Sequence, residues 1–235
     1  MKILESNEIG RGIIIEKDGF VFTEKDSYLT ESKINAEDFS LDNPYVYCIL
    51  QKYGVKNRNN RIYPEKILRE AVDKYMFHIE GRSAVGSIDH EDDTNVSLRG
   101  DSVGLLIVEV FWQGNALIGK IYLPISPAYK KQGIRCCGAD DIADYIFNHN
   151  IKIGISSRGI GEVKKNGNDT IVTEYDLISW DWVQMPSTYG SWAYKDQKTI
   201  EQELASSSVN EQKVEINEEE ILPPNLQKLM KYMNM

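Results

Sequence analysis

Three side chains far apart in the sequence could together make a hydroxyl nucleophilic. A serine lies in Gly154-Ile155-Ser156-Ser157-Arg158-Gly159-Ile160-Gly161, a histidine ends Gly86-Ser87-Ile88-Asp89-His90, and an acid opens Asp181-Trp182-Val183-Gln184-Met185-Pro186-Ser187. A serine that ends a β-rich run between glycines can be held exposed, with backbone N–H groups turned toward a developing oxyanion. An imidazole titrating near neutrality is the base such a hydroxyl needs, and an acid can orient that imidazole.

Each residue also has a plainer reading. A Ser-Ser pair in a β-rich stretch serves packing or hydrogen bonding, and Gly154, Gly159 and Gly161 equally mark β-bulges. Of the other histidines, His78 falls within an amphipathic helix and His149 at a helix end, where the dipole favours a protonated ring. His90 follows a glycine-containing segment between helix and sheet, and we read it as the base. The rival is a metal site drawing on Asp89, His90, Glu91, Asp92 and Asp93. No second histidine stands at ligand spacing, so neither a metal nor a cofactor is expected. Asp181, between Trp180 and Trp182, needs a hydrogen-bonding partner, which a histidine N–H would be; otherwise it caps a turn. Asp89 is the weaker candidate to orient His90, because neighbours on an extended chain point to opposite faces.

The chain has 235 residues, 41% hydrophobic and 10% aromatic, which suits a folded domain with a sizeable core. No apolar run approaches the roughly 20 residues that cross a bilayer, and the start, Met1-Lys2-Ile3-Leu4-Glu5-Ser6, does not read as a signal peptide. Three cysteines, two of them adjacent at Cys136-Cys137, suggest a reducing, cytoplasmic setting rather than a disulfide framework. With 36 acidic against 27 basic residues the net charge is −9, which argues against a general nucleic-acid binder.

Several elements would position the three candidates. A hairpin is expected over residues 11–22, turning at Asp18-Gly19, and Tyr45 to Leu50 reads as a buried strand. The polar loop Asn57-Arg58-Asn59-Asn60-Arg61-Ile62-Tyr63-Pro64 leads into a helix from about Pro64 to Ile79, with one apolar face. Two strands, Val103 to Val110 and Ala116 to Leu123, form a hairpin across Gln113-Gly114-Asn115. A helix over Ala139 to Asn148 delivers the chain to a strand from Ile151 to Ser157, and further strands run on to Pro186. Three segments follow: a main domain over 1–195, a disordered acidic linker over 196–220, and a short docking helix over 221–235.

Taken together, these blocks resemble the prohead core proteases of large tailed bacteriophages, relatives of the herpesvirus assemblin proteases. The match rests on the Asn57–Pro64 loop with its helix, the segment Gly86–His90, the segment Gly154–Gly161, and Asp181 through Ser187. It spans about residues 45–190. The resemblance implies an α+β fold, a closed and mainly antiparallel β-barrel flanked by helices, of the herpesvirus-protease kind. It implies a serine endopeptidase with His90 as base and Ser156, first of the pair, as nucleophile; Asp181 falls where the third triad member is expected. Arg158 and the amides near Gly159 are candidates for holding the oxyanion, and Arg158 alternatively for binding an acidic substrate side chain.

By the same resemblance the substrates are phage scaffold and major capsid proteins, trimmed inside the immature head in the host cytoplasm, with homo-oligomers possible and no membrane or direct nucleic-acid partner. Such proteases commonly cut after Glu that has an aliphatic residue two positions earlier. Ile3-Leu4-Glu5, Ile14-Ile15-Glu16 and Ile216-Asn217-Glu218 fit that pattern, and self-cleavage is expected near Glu218, which would shed the docking helix. A non-enzymatic capsid or scaffold component with a protease-like barrel is the alternative.

Overall fold

The structure is a computed structural model, and it describes residues 11–15, 39–90, 100 and 102–207. Strands β2 (Tyr45–Lys52), β4 (Val85–Ser87), β5 (Val103–Gln113) and β6 (Ala116–Tyr122) form one antiparallel sheet in the order β2-β6-β5-β4. A second sheet has the order β1-β7-β8-β3, from β1 (Arg11–Ile15), β3 (Arg61–Ile62), β7 (Gly154–Asn166) and β8 (Asp169–Val183). Its pairs are antiparallel except β3 with β8. Helices α1 (Glu65–Glu80), α2 (Pro127–Gln132), α3 (Gly138–Phe147) and α4 (Gln197–Ser207) complete an α+β fold.

The long apolar run of β2 is explained by burial on both faces. Val46, Cys48 and Leu50 enter the main core with Leu68, Val72 and Tyr75 of α1, Ile142 and Ile146 of α3, and Trp180 and Trp182 of β8. The alternate residues Tyr47 and Ile49 enter a second cluster with Phe111, Ile118, Ile200 and Leu204. The two-residue side-chain period of a strand produces this division.

Helix α1 begins one residue after Pro64, which stands at its cap position with φ −60°. The hairpin of β5 and β6 turns at Gly114, whose φ of 61° suits glycine. Beyond Ile15 the expected N-terminal hairpin lies outside the described residues.

Two expectations change. No closed barrel is found among the described residues. The sheets meet at two seams made of isolated bridges: Ile88 with Trp182 on one side, and Tyr47 with Tyr194 and Gly154 with Trp192 on the other. A barrel needs continuous ladders around its circumference, and β4, three residues long, is too short to provide one. The stretch after 195 does not begin as a disordered linker. It forms α4, because Ile200 and Leu204 are four residues apart on one helix face and both bury against β2. Residues 208–235, including the expected docking helix, lie outside the described residues.

Candidate active site

Strands β7 and β8 pair so that Ser156 faces Asp181 directly across the ladder, with Ser157 opposite Trp180 and Arg158 opposite Ser179. Alternation along a strand puts Ser156, Arg158, Ser179 and Asp181 on one face. Ser157 points to the other face with Trp180, a member of the main core. Spacing alone could not choose between the two serines for a carboxylate partner; the register chooses Ser156.

His90 reaches this face from the neighbouring sheet. After β4 the chain crosses to β8: Ile88 bridges Trp182, and the Asp89 N–H donates to the Trp182 carbonyl at 2.8 Å. Asp89 then adopts φ 62°, a left-handed conformation that aspartate tolerates better than most residues. Its carboxylate accepts from the His90 backbone N–H at 3.0 Å, and its carbonyl accepts from Ser87 Oγ at 2.6 Å. The turn swings the His90 ring over Asp181, where Nδ1 lies 2.8 Å from Oδ2. Asp89, the alternative orienter, is thus used to shape the turn.

Asp181 is fully buried and gathers four polar groups. Oδ2 accepts from His90 Nδ1 and, at 3.0 Å, from Arg158 Nε; Oδ1 accepts from the Ser87 N–H at 3.0 Å and from Ser179 Oγ at 3.0 Å. Burial by itself would raise the carboxyl pKa. The hydrogen bond from His90, the charge of Arg158 and the Ser87 amide outweigh it and hold the group below the ordinary aspartate value. An ionised Asp181 can only accept, so the imidazole donates from Nδ1, and in its neutral form it presents its lone pair at Nε2. Nε2 is buried and has no hydrogen-bond partner among the described residues.

Ser156 is brought to this face without a hydrogen bond to the imidazole; its Oγ lies 3.3 Å from Ser187 Oγ. Nucleophile–base contacts often tighten only when substrate is bound. Arg158, a sequence candidate for the oxyanion or for substrate, is turned inward, its side chain 2% exposed and engaged with Asp181. Gly159 lies in mid-sheet, paired with Ile14 of β1 and Leu177 of β8. His78 and His149 stand elsewhere, beside Ser83 and Asp144. Of the self-cleavage candidates, Glu5, Glu16 and Glu218 lie outside the described residues.

The sequence reading gave no part to Ser179, Ser87 or Ser187. Ser179 was legible in principle, since it stands two positions before Asp181 on the same strand face. The others depend on chain crossings that no local pattern reveals.

A buried carboxylate, an imidazole hydrogen-bonded to it and a serine on the same strand face as the carboxylate are the residue types that serine hydrolases combine. The chain belongs to the prohead core protein serine protease family, which it matches over residues 13–203. It is 31% identical over 152 residues to the prohead core protein protease of Enterobacteria phage T4, a match covering 63% of this chain and 66% of that protein. Its fold is similar to that of the bacteriophage T4 capsid assembly protease, with a TM-score of 0.55 and 22% identity over 77% of this chain and all of the solved one. Among the described residues no helix is long and apolar enough to cross a membrane.

Proposed function

We propose that this chain is a serine endopeptidase of phage prohead maturation, with Ser156 as nucleophile, His90 as general base and Asp181 as the group that orients His90. The observation that carries the reading is the 2.8 Å contact between His90 Nδ1 and Asp181, which leaves the buried Nε2 as an acceptor near the strand that bears Ser156. Ser156 Oγ attacks a peptide carbonyl while Nε2 takes its proton, and the carbonyl π electrons move onto oxygen. Collapse expels the amine, which receives the proton from His90. Water then hydrolyses the acyl-enzyme by the same route.

Family membership supports scaffold and capsid proteins as substrates, processed inside the immature head within the host cell. Kinship with the herpesvirus assemblin proteases, and action as a homo-oligomer, belong to the same proposal. So does self-cleavage near Glu218, or at Glu5 or Glu16.

A fluorophosphonate probe and terminal-fragment mass spectrometry test the reading together. Wild-type protein should carry the label on Ser156 and generate a fragment ending at Glu218, and S156A should do neither. Cleavage that survives in S156A, or a protein that resists the probe and stays intact under conditions where it is folded, would overturn it.

A further inference from the structure

Ser187 follows β8 and is buried at 1% exposure, as Ser156 is at 0%. Its hydroxyl is brought to the nucleophile by two independent contacts. Pro186 packs on Gly154, where a Cβ would stand 2.5 Å from Pro186 Cδ, so only glycine lets the loop lie this close to β7. From the other side, Arg58 Nη1 donates to the Pro186 carbonyl at 3.1 Å, and its guanidinium lies 4.2 Å above the Tyr189 ring, a cation–π arrangement. Arg58 is itself presented by a rigid turn: Asn57 Oδ1 accepts from the N–H groups of Asn59 at 3.0 Å and Arg61 at 2.8 Å, and Asn60 takes φ 55°. The Asn57–Pro64 loop, conspicuous in the sequence but without a chemical role there, is thus a clamp on the segment that carries Ser187.

We propose that Ser187 Oγ–H is a hydrogen-bond donor of the oxyanion hole and that Arg58 is the positioning residue that holds it there; the proposal rests on Ser156 being the nucleophile. Proton bookkeeping fixes the direction of the bond. Ser156 has one hydroxyl proton and must give it to His90 Nε2, so toward Ser187 it can only accept, and Ser187 must donate. When the Ser156 Oγ–carbon bond forms and the carbonyl π pair moves to oxygen, that oxygen develops one bond angle away from Oγ. A hydroxyl now 3.3 Å from Oγ is then placed to approach the oxygen at the roughly 2.7–3.1 Å an oxyanion donor requires. The Ser187 proton is shared and not transferred, and it remains on Ser187 when the intermediate collapses. Arg158 and Gly159 are replaced in this role, the one turned toward Asp181 and the other set within the sheet.

The test is the rate at which a fluorophosphonate probe phosphonylates the full chain, because that reaction needs the nucleophile, the base and the oxyanion donors but no identified substrate. S187A should slow labelling about 100- to 1000-fold, the loss typical of one such donor, with an unchanged thermal midpoint. S187T, which keeps a hydroxyl, should recover most of the rate. R58A should slow labelling by up to about 100-fold, as a displaced reacting group does, yet add almost nothing in an S187A background. A merely structural Arg58 would cost the same in both backgrounds. Normal labelling of Ser156 in S187A overturns the inference and leaves the protease reading standing. If S187A does not fold, S187T decides, and a folded S187T as slow as R58A counts against the inference. Failure of wild-type protein to label on Ser156 overturns the protease reading itself, and a label on Ser187 overturns both.

Discussion

Asp181 sits in a region of low dielectric with an imidazole and a guanidinium on the same oxygen, and this fixes what its removal should do. In D181N an amide N–H must face one of those donors, or the amide must turn and surrender the Ser87 N–H or Ser179 hydroxyl. Breaking a buried ion pair from one side costs about 3–5 kcal/mol, and an imidazole in the wrong tautomer loses about 10⁴ in kcat. D181N should therefore melt lower and also acylate far more slowly at temperatures where it is folded. The pH dependence has a definite sign. The folded carboxyl titrates below its unfolded value of about 3.9. Its contribution to stability is full above that value and is lost as the pH falls toward the folded pKa. Denaturant titrations of wild type and D181N should give stabilities that differ most near neutrality and converge below about pH 4.

At the scale of elements, the short strand β4 and the turn after it decide whether the imidazole arrives. Gly86 lies so close to β8 that a Cβ there would stand 1.8 Å from the Trp180 carbonyl oxygen. The closeness lets the next amide, of Ser87, reach the Asp181 carboxylate. Ile88 then locks the turn: its side chain fills the space where Gly104 and Gly138 have no Cβ, within 2.4 and 2.1 Å of where those atoms would be. Strand β4, the β5 edge and the start of α3 are thereby fixed together beneath His90. G86A should push β4 off β8, with an overpacking cost of about 1–3 kcal/mol. Probe labelling of Ser156 should fall along with stability, because the same displacement moves Ser87 and His90. Normal labelling in a folded G86A protein would show that His90 is positioned by other contacts.

Across the whole molecule, the two sheets hold one half of the site each: Ser156, Arg158 and Asp181 on β7 and β8, His90 on the extension of β4. The seam at Ile88 and Trp182 joins those halves, and the Trp182 indole N–H reinforces it by donating to the Gly104 carbonyl at 3.0 Å. The opposite seam, through 191–194, is backed by Ser191 Oγ, which donates to the carbonyls of Ile49 and Ile155 and so ties β2 to β7. Helix α4 covers the outer face of β2 behind this seam. Truncating its Ile200, which is fully buried, should cost about 2–5 kcal/mol by leaving a cavity. I200A should lower the thermal midpoint while leaving the labelling rate of Ser156 at low temperature unchanged, since Ile200 buries in the cluster of Tyr47, Ile49 and Phe111, which holds none of the site residues.

Local pattern was enough for much of this. The apolar stripe of α1, the continuous apolar run of β2, the glycine turn between β5 and β6 and the approximate span of α3 are written in residues a few positions apart, so short-range patterning and turn chemistry reveal them. His90, Ser156 and Asp181 were legible as a candidate set from residue type and setting. The meeting of His90 with Asp181 was not, because the 2.8 Å between them joins residues 91 positions apart through a strand crossing that only a glycine without a Cβ permits. The same limit hid α4, whose helical stripe is weak until β2 supplies the surface that buries it, and it hid the seams that stand in place of a closed barrel. Even the inward turn of Arg158 follows from a pairing register, and register is fixed by the whole ladder.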